Sequence, residues 1–214
     1  MLAPVALTGL RKNARFNAFR DLEFFMEIKR IVVGQLETNC YLLVNKGEAI
    51  VVDPGDEARK IAKEVEAAGV AVKSIINTHH HFDHIGANEE LKIKFGTKLL
   101  IDRYDNKGGI AADELLKDGD VIMIDQELLK VVETPGHTKG SVCLFGDGFV
   151  VSGDTLFEDG FGRTDFPGGS NLDMTASLKK LDSIIPEGTM VYPGHGNIFK
   201  YKKGMAATWL DYLN

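Results

Sequence analysis

The sequence predicts an α/β chain in which two β-sheets pack face to face with helices on their outer faces, a four-layer αββα sandwich. Three observations carry this prediction. Short segments rich in Val and Ile, bounded by Gly, Asp and Pro, recur along the chain as strands. Stretches with apolar residues at helical spacing interrupt them. At least nine strands in about 190 residues are too many for one simple α/β sheet. In order, strands are expected at Ile28–Val33, Cys40–Val44 and Ala49–Val52. A helix follows at Glu57–Ala68, where Ala58, Ile61, Ala62 and Val65 form an apolar stripe. Then come a strand at Ser74–Asn77, a helix at Ala87–Phe95 and strands at Lys98–Ile101, Val121–Ile124 and Leu128–Val132. Val142–Phe145 and Phe149–Val151, joined by Gly146-Asp147-Gly148, read as a β-hairpin. A helix at Asn171–Ser183 carries Met174, Leu178 and Leu181 on one face, Met190–Tyr192 is a strand, and Met205–Leu213 is a closing helix.

The composition excludes several classes. The chain has 214 residues, 44% hydrophobic and 26% charged, with a net charge of −6. No apolar run approaches the roughly 20 residues of a membrane span. The acidic balance argues against nucleic acid as a partner. Two cysteines, Cys40 and Cys143, form neither a disulfide framework nor a zinc pattern, which points to a reducing cytoplasm. Residues 1–25 carry four basic and two acidic side chains, whereas 26–214 carry 21 basic and 29 acidic. Residues 1–25 are therefore read as an N-terminal extension, or as an amphipathic interface segment, ahead of one catalytic domain over 26–214. Its apolar stretch precedes its positive charges, unlike a secretory signal.

The chemistry is concentrated in the histidines. Four of the six lie in Thr78-His79-His80-His81-Phe82-Asp83-His84. Imidazole and carboxylate are divalent-metal ligands. If this segment is extended, His79, His81 and Asp83 share a face, with His80 on the other. His84 falls where the chain turns into the next helix. The ligands then form two groups, His79 with His81 and Asp83 with His84. The other two histidines occupy matching turns, Pro135-Gly136-His137 and Pro193-Gly194-His195, each after a strand. His137 precedes the predicted hairpin and Asp154 follows it, so an antiparallel hairpin brings them to the same end.

THHHFDHIG over Thr78–Gly86, followed by TPGHT, SGDTLF and YPGHG in that order and preceded by Val51-Val52-Asp53-Pro54-Gly55, resembles the metallo-β-lactamase superfamily and most closely its short, single-domain glyoxalase II-like (hydroxyacylglutathione hydrolase) branch. The resemblance spans roughly residues 28–200. It implies the αββα sandwich with a two-metal site at one edge. Carried over residue by residue, His79, His81 and His137 bind one divalent ion, Asp83, His84 and His195 bind a second, and Asp154 bridges them. Zinc is the first expectation, with iron or manganese as alternatives. Asp53 orients a ligand from behind, or caps the turn after its strand.

Two such ions about 3.5–4 Å apart lower the pKa of a shared water toward 7 and polarise a carbonyl. The expected reaction is hydrolysis of an acyl bond of a small thioester such as S-lactoylglutathione, with Asp83 and Asp154 as the catalytic carboxylates. Arg163 falls where the family places a basic residue against the glycine carboxylate of glutathione, though Asp165 stands where longer members have Tyr. Lys139 is a second candidate for an anionic group, and Lys200, Lys202 and Lys203 form a basic cluster. Longer members continue into a helical glutathione-binding domain, whereas this chain runs about 19 residues past His195. The alternative is a persulfide dioxygenase, similar in fold, with one iron on His79, His137 and Asp154. Phe82 is unlike the small residue of that group. A lactonase is a further alternative. The protein is expected to be a monomer or homodimer.

Overall fold

Strands β1 (Glu27–Val33), β2 (Thr38–Asn45) and β3 (Glu48–Val52) form an antiparallel meander in the computed structural model of the chain, which describes residues 26–107 and 110–213. Helix α1 (Ala58–Ala68) then crosses over to β4 (Ala71–Ile76), parallel to β3. Two more helices, α2 (Phe82–Ile85) and α3 (Asn88–Phe95), lead to β5 (Lys98–Asp102), and β6 (Glu114–Leu116) adds a third parallel pairing. The first sheet thus runs β1-β2-β3-β4-β5-β6.

The second sheet begins with an antiparallel run of β7 (Val121–Ile124), β8 (Glu127–Glu133), β9 (Val142–Gly146) and β10 (Phe149–Gly153). Helix α4 (Asn171–Ile184) returns the chain to β11 (Met190–Pro193), parallel to β10, and β12 (Phe199–Lys200) closes the order β12-β11-β10-β9-β8-β7. Ser170 caps α4, its hydroxyl accepting from the Asp173 amide at 3.2 Å.

Alternation along the strands separates the layers. Tyr41, Leu43, Ile50, Val52 and Ile76 face the other sheet, where Ile124, Leu129, Val131, Val142, Leu144 and Val151 meet them. Their neighbours Cys40, Leu42, Ala49, Val51 and Ile75 face Ile61 and Val65 of α1 and Leu91 of α3. On the far side, Cys143, Val150 and Val191 pack on Met174, Leu178 and Leu181 of α4. Both faces of the central strands are buried, so they read as continuous apolar runs in the sequence. Each large side chain buried this way contributes roughly 1.5–3 kcal/mol.

The predicted sandwich is therefore observed, with three differences. Strands β6 and β12 have only three and two residues, too short for a periodic signal. Residues 82–85 form a helical turn instead of continuing an extended segment. The closing helix is a 3₁₀ helix, Ala206–Tyr212. The expected extension over 1–25 lies outside the described residues.

Candidate metal centre

The chain leaves β3, β4, β8, β10 and β11 at one edge of the sandwich. Their following residues, Asp53, Thr78–His84, Thr134–Thr138, Asp154 and Gly194–His195, converge there. Backbone contacts at this edge are close. A Cβ on Gly194 would lie 2.1 Å from Asp154 Oδ1 and 2.7 Å from His84 Cε1, so the turn before His195 accepts only glycine. A Cβ on Gly55 would meet the Asp83 carbonyl at 1.5 Å, which seats the β3–α1 turn directly on α2.

The motif 78–84 reaches the site by a different geometry from the expected alternation. β4 stops at Ile76, and His81 becomes the N-cap of α2. The His84 amide donates to the His81 carbonyl at 2.9 Å, and Asn77 Nδ2 donates to the His84 carbonyl at 3.0 Å. Asp83 and His84 are thus aimed by a helical turn, not by strand pleating. His80 does point away, its Nδ1 lying 3.0 Å from Asp105 Oδ2.

Two trios result. The ligand atoms of His79, His81 and His137 lie within 4.8 Å of one another, as do those of Asp83, His84 and His195. In the second trio, His195 Nε2 is 3.2 Å and His84 Nε2 3.5 Å from Asp83 Oδ2. Asp154 stands between the trios. Its Oδ1 is 3.5 Å from His84 Nε2, and its Oδ2 is 3.5 Å from His137 Nε2 and 3.6 Å from His195 Nε2. His79 Nε2, His137 Nε2 and Asp154 Oδ1 are buried and lack a hydrogen-bond partner among the described residues. Leaving such groups unpaired costs about 1–3 kcal/mol each, a cost that a bound divalent ion removes.

The opposite ring nitrogens are held. Asp53 Oδ2 lies 3.0 Å from His84 Nδ1, and Asp53 accepts from the Thr78 amide at 2.7 Å and the Thr78 hydroxyl at 2.6 Å. These bonds engage the carboxylate away from the centre. Asp53 thus lies behind His84, although it is also within ligand range of His79 and His84. His137 Nδ1 meets the Arg163 carbonyl at 2.7 Å, and His195 Nδ1 meets the Leu36 carbonyl at 3.1 Å. Thr38 Oγ donates to Asp83 Oδ2 at 3.1 Å. Such partners fix ring orientation and leave Nε2 for a metal.

The electrostatics differ between the trios. Burial pushes the His79 and His137 imidazoles down, and burial with the neighbouring His137 brings His81 to about 4, so this trio is neutral and ready to ligate. Burial opposes charge on His84 too, but Asp154 and Asp53 raise it to about 9. His195 is raised by Asp83 and Asp154 against the same burial. Burial would lift the Asp83 carboxyl, yet His195, His84 and Thr38 hold it well below the usual carboxylate range.

Motif reading missed Asp105. This fully buried carboxylate accepts from the His80 amide at 3.2 Å, Thr138 Oγ at 2.6 Å and the Gly140 amide at 2.9 Å. It ties the loop of His79 and His81 to the loop of His137. No local motif marks it. The expected anion-binding residues are engaged elsewhere. Arg163 forms a bidentate pair with Asp165, both bonds 2.7 Å, and its guanidinium stacks 3.7 Å from the Phe166 ring centroid. Phe166 in turn packs edge-on to His81, which places Arg163 at the rim. Lys139 Nζ lies 4.6 Å from the Tyr104 ring centroid. Lys203 Nζ donates to the Asp182 and Ile185 carbonyls at the end of α4.

A family model described as the metallo-beta-lactamase superfamily matches residues 33–195. The chain is 33% identical over 191 residues to "Probable metallo-hydrolase YqgX" of Bacillus subtilis (strain 168), covering 80% of this chain and 90% of the relative. It is 37% identical over 175 residues to the hydroxyacylglutathione hydrolase of Pelagibacter ubique (strain HTCC1062), covering 79% and 71%. Among solved structures, the BLEG-1 B3 metallo-beta-lactamase superposes with a TM-score of 0.77 at 29% identity, over 87% of this chain and 99% of that one. TTHA1623 in a di-iron-bound form gives 0.74 at 29% identity, over 84% and 96%. The matched span opens in β1 and closes at His195, and on that span, that sandwich and those relatives the chain belongs to the metallo-β-lactamase superfamily, alongside its hydroxyacylglutathione hydrolases.

Proposed function

We propose that this protein is a dinuclear metal-dependent hydrolase that cleaves the thioester of a small glutathione conjugate such as S-lactoylglutathione. The observation that carries the reading is Asp154, whose two oxygens lie within 3.6 Å of histidines from both trios. His79, His81 and His137 would hold one ion, Asp83, His84 and His195 the other, and Asp154 both. Zinc is the first candidate and iron the second, because His and Asp suit either. When bound, two such ions supply an acidified water as nucleophile and a Lewis acid for the carbonyl.

The chain's own residues do the rest. Asp53 holds the proton on His84 Nδ1, and the Arg163 and Leu36 carbonyls do the same for His137 and His195. Asp83 and Asp154 accept hydrogen bonds from a water between the trios and align it on the carbonyl carbon. Water adds to the carbonyl carbon, the C–S bond breaks, and a carboxylate, a thiol and one proton leave. Arg163 would serve the anionic end of the thiol from the rim once it parts from Asp165, with Lys139 as the second cation.

One observation favours a second reading. Among the candidate ligands, the buried unpaired atoms belong to His79, His137 and Asp154, the three residues that would hold a single iron in a persulfide dioxygenase. Metal analysis of the purified protein, with assays of S-lactoylglutathione hydrolysis and of oxygen uptake on glutathione persulfide, separates the two. Two ions per chain with thioester turnover is the expected result. One iron with oxygen uptake would overturn it. No helix among the described residues is long and apolar enough to cross a membrane. The free, buried Cys40 and Cys143 support placing the protein in the reducing cytoplasm.

A further inference from the structure

Beside the second trio lies a groove of about 290 Å³ between the β1–β2 turn and α2. Its floor reaches Asp83 and Thr38, which are joined by their 3.1 Å hydrogen bond, so the groove opens onto the centre. Its walls are mainly apolar, from Val33, Leu36 and Phe82, with Gln35 and Asp56 also in the lining. Leu36 is 54% exposed and Phe82 74% exposed, and neither belongs to a core cluster of the sandwich. Single exposed apolar side chains are ordinary. What distinguishes these two is placement. Phe82 sits between His81 and Asp83 on α2, and the Leu36 carbonyl is the partner of His195 Nδ1. Both walls are therefore anchored to the centre by the residues that build it.

The neighbouring cleft carries two exposed carboxylates. The cleft on the far side of His195, about 270 Å³, is lined by Glu158 and Asp159 as well as Phe157. At the remaining rim, Arg163 is neutralised by Asp165. Among the described residues, an uncharged apolar group leaving the centre meets a mainly apolar groove between Leu36 and Phe82.

We propose that this groove holds the acyl part of the substrate, and that it extends the accepted acyl class from short hydroxylated groups to aliphatic chains of several carbons. The proposal rests on the hydrolase reading and leaves its bond changes as they stand. Only the group attached to the reacting carbonyl is specified.

The test uses the full-length, metal-loaded protein and straight-chain glutathione thioesters from acetyl to octanoyl, with S-lactoylglutathione alongside. Burial of each methylene should raise kcat/KM about three- to fourfold until the groove is filled. In Leu36→Ala and Phe82→Ala the octanoyl-to-acetyl ratio of kcat/KM should fall at least about tenfold. Melting temperature and metal content check that the variants are intact, and both side chains lie outside the core. A second arm measures octanoate and acetate binding to the metal-loaded protein by calorimetry, without turnover. Octanoate should bind at least about tenfold tighter, and Phe82→Ala should erase the difference. Thioester turnover with no dependence on chain length overturns the groove and leaves the hydrolase standing. Preferential octanoate binding without turnover of any thioester keeps the groove and overturns the hydrolase. Equal binding of the two acids overturns the groove in either case.

Discussion

Asp53→Asn isolates the support behind one metal ligand with almost no change in shape. Asp53 is 1% exposed and accepts three hydrogen bonds, two from Thr78 and one from His84 Nδ1. When an ion displaces the second proton of His84, the carboxylate keeps the remaining one on Nδ1, so that the Nε2 lone pair faces Asp83, Asp154 and His195. In the variant, the carboxamide oxygen stays on the Thr78 amide, 2.7 Å away, because that buried donor needs an acceptor. The NH2 group then occupies the position of Oδ2, opposite His84 Nδ1. Two donors cannot face each other, so the ring takes its other tautomer and points a proton at the metal. Losing such a support costs about 10- to 100-fold in metal affinity, or about 1.4–2.7 kcal/mol. The assay is competition with a chromophoric chelator, read separately for the two ions. Affinity for the ion on Asp83, His84 and His195 should fall in that range while the ion on His79, His81 and His137 changes less. Melting of the metal-free variant reports any loss of fold. A variant that binds both ions within about twofold of the parent, at an unchanged melting temperature, would refute the tautomer argument.

Four further outcomes are expected. Asp154→Ala should remove at least one ion per chain and lower thioester turnover at least about 100-fold, read by metal analysis and initial rates. Asp105→Ala strands the His80 and Gly140 amides and the Thr138 hydroxyl, costing about 3 kcal/mol and lowering Tm by about 6–12 °C in a thermal melt. Asp102 is fully buried, and burial lifts its carboxyl from 3.8 to about 6 against a single hydrogen bond from the Tyr104 amide. Between these values the folded state keeps the proton and the unfolded state loses it, so stability falls as pH rises through this window and stays lowered above it. The stability gained by Asp102→Asn should therefore grow from small at pH 4 to about 2 kcal/mol at pH 7 in denaturant titrations, and a pH-independent difference contradicts the assignment. Asp165→Asn frees Arg163 and should lower KM for glutathione thioesters about threefold, whereas Arg163→Ala should raise it.

The layers of the sandwich were legible because alternate residues of β2, β3 and β4 are apolar on both faces and the stripe of α1 has helical spacing. Strands β6 and β12 were not, since two or three residues carry no period. Residue types suggested the pairs His79 with His81 and Asp83 with His84, the hairpin placed Asp154 near His137, a local argument the 3.5 Å separation matches, and the resemblance to the superfamily supplied the full trios. The way Asp83 enters its trio was misread, because the hydrogen bond from Asn77 to the His84 carbonyl that holds α2 is invisible in a motif.

By itself, then, the sequence marked the candidate ligand types, their local pairs and the layered core. These depend on short spacings, strand alternation and one hairpin, all local along the chain. Apart from Asp53, which the sequence had offered as a support, the tertiary structure decided which groups support and surround the centre. The Leu36 carbonyl holds His195 from 159 residues away, Thr38 reaches Asp83 across 45, and Asp105 reaches His80 across 25. The same holds for the pairing that neutralises Arg163 and for the groove between Leu36 and Phe82. Backbone carbonyls and packing surfaces are available to every sequence, and only the fold determines which of them come within hydrogen-bond reach of a metal ligand.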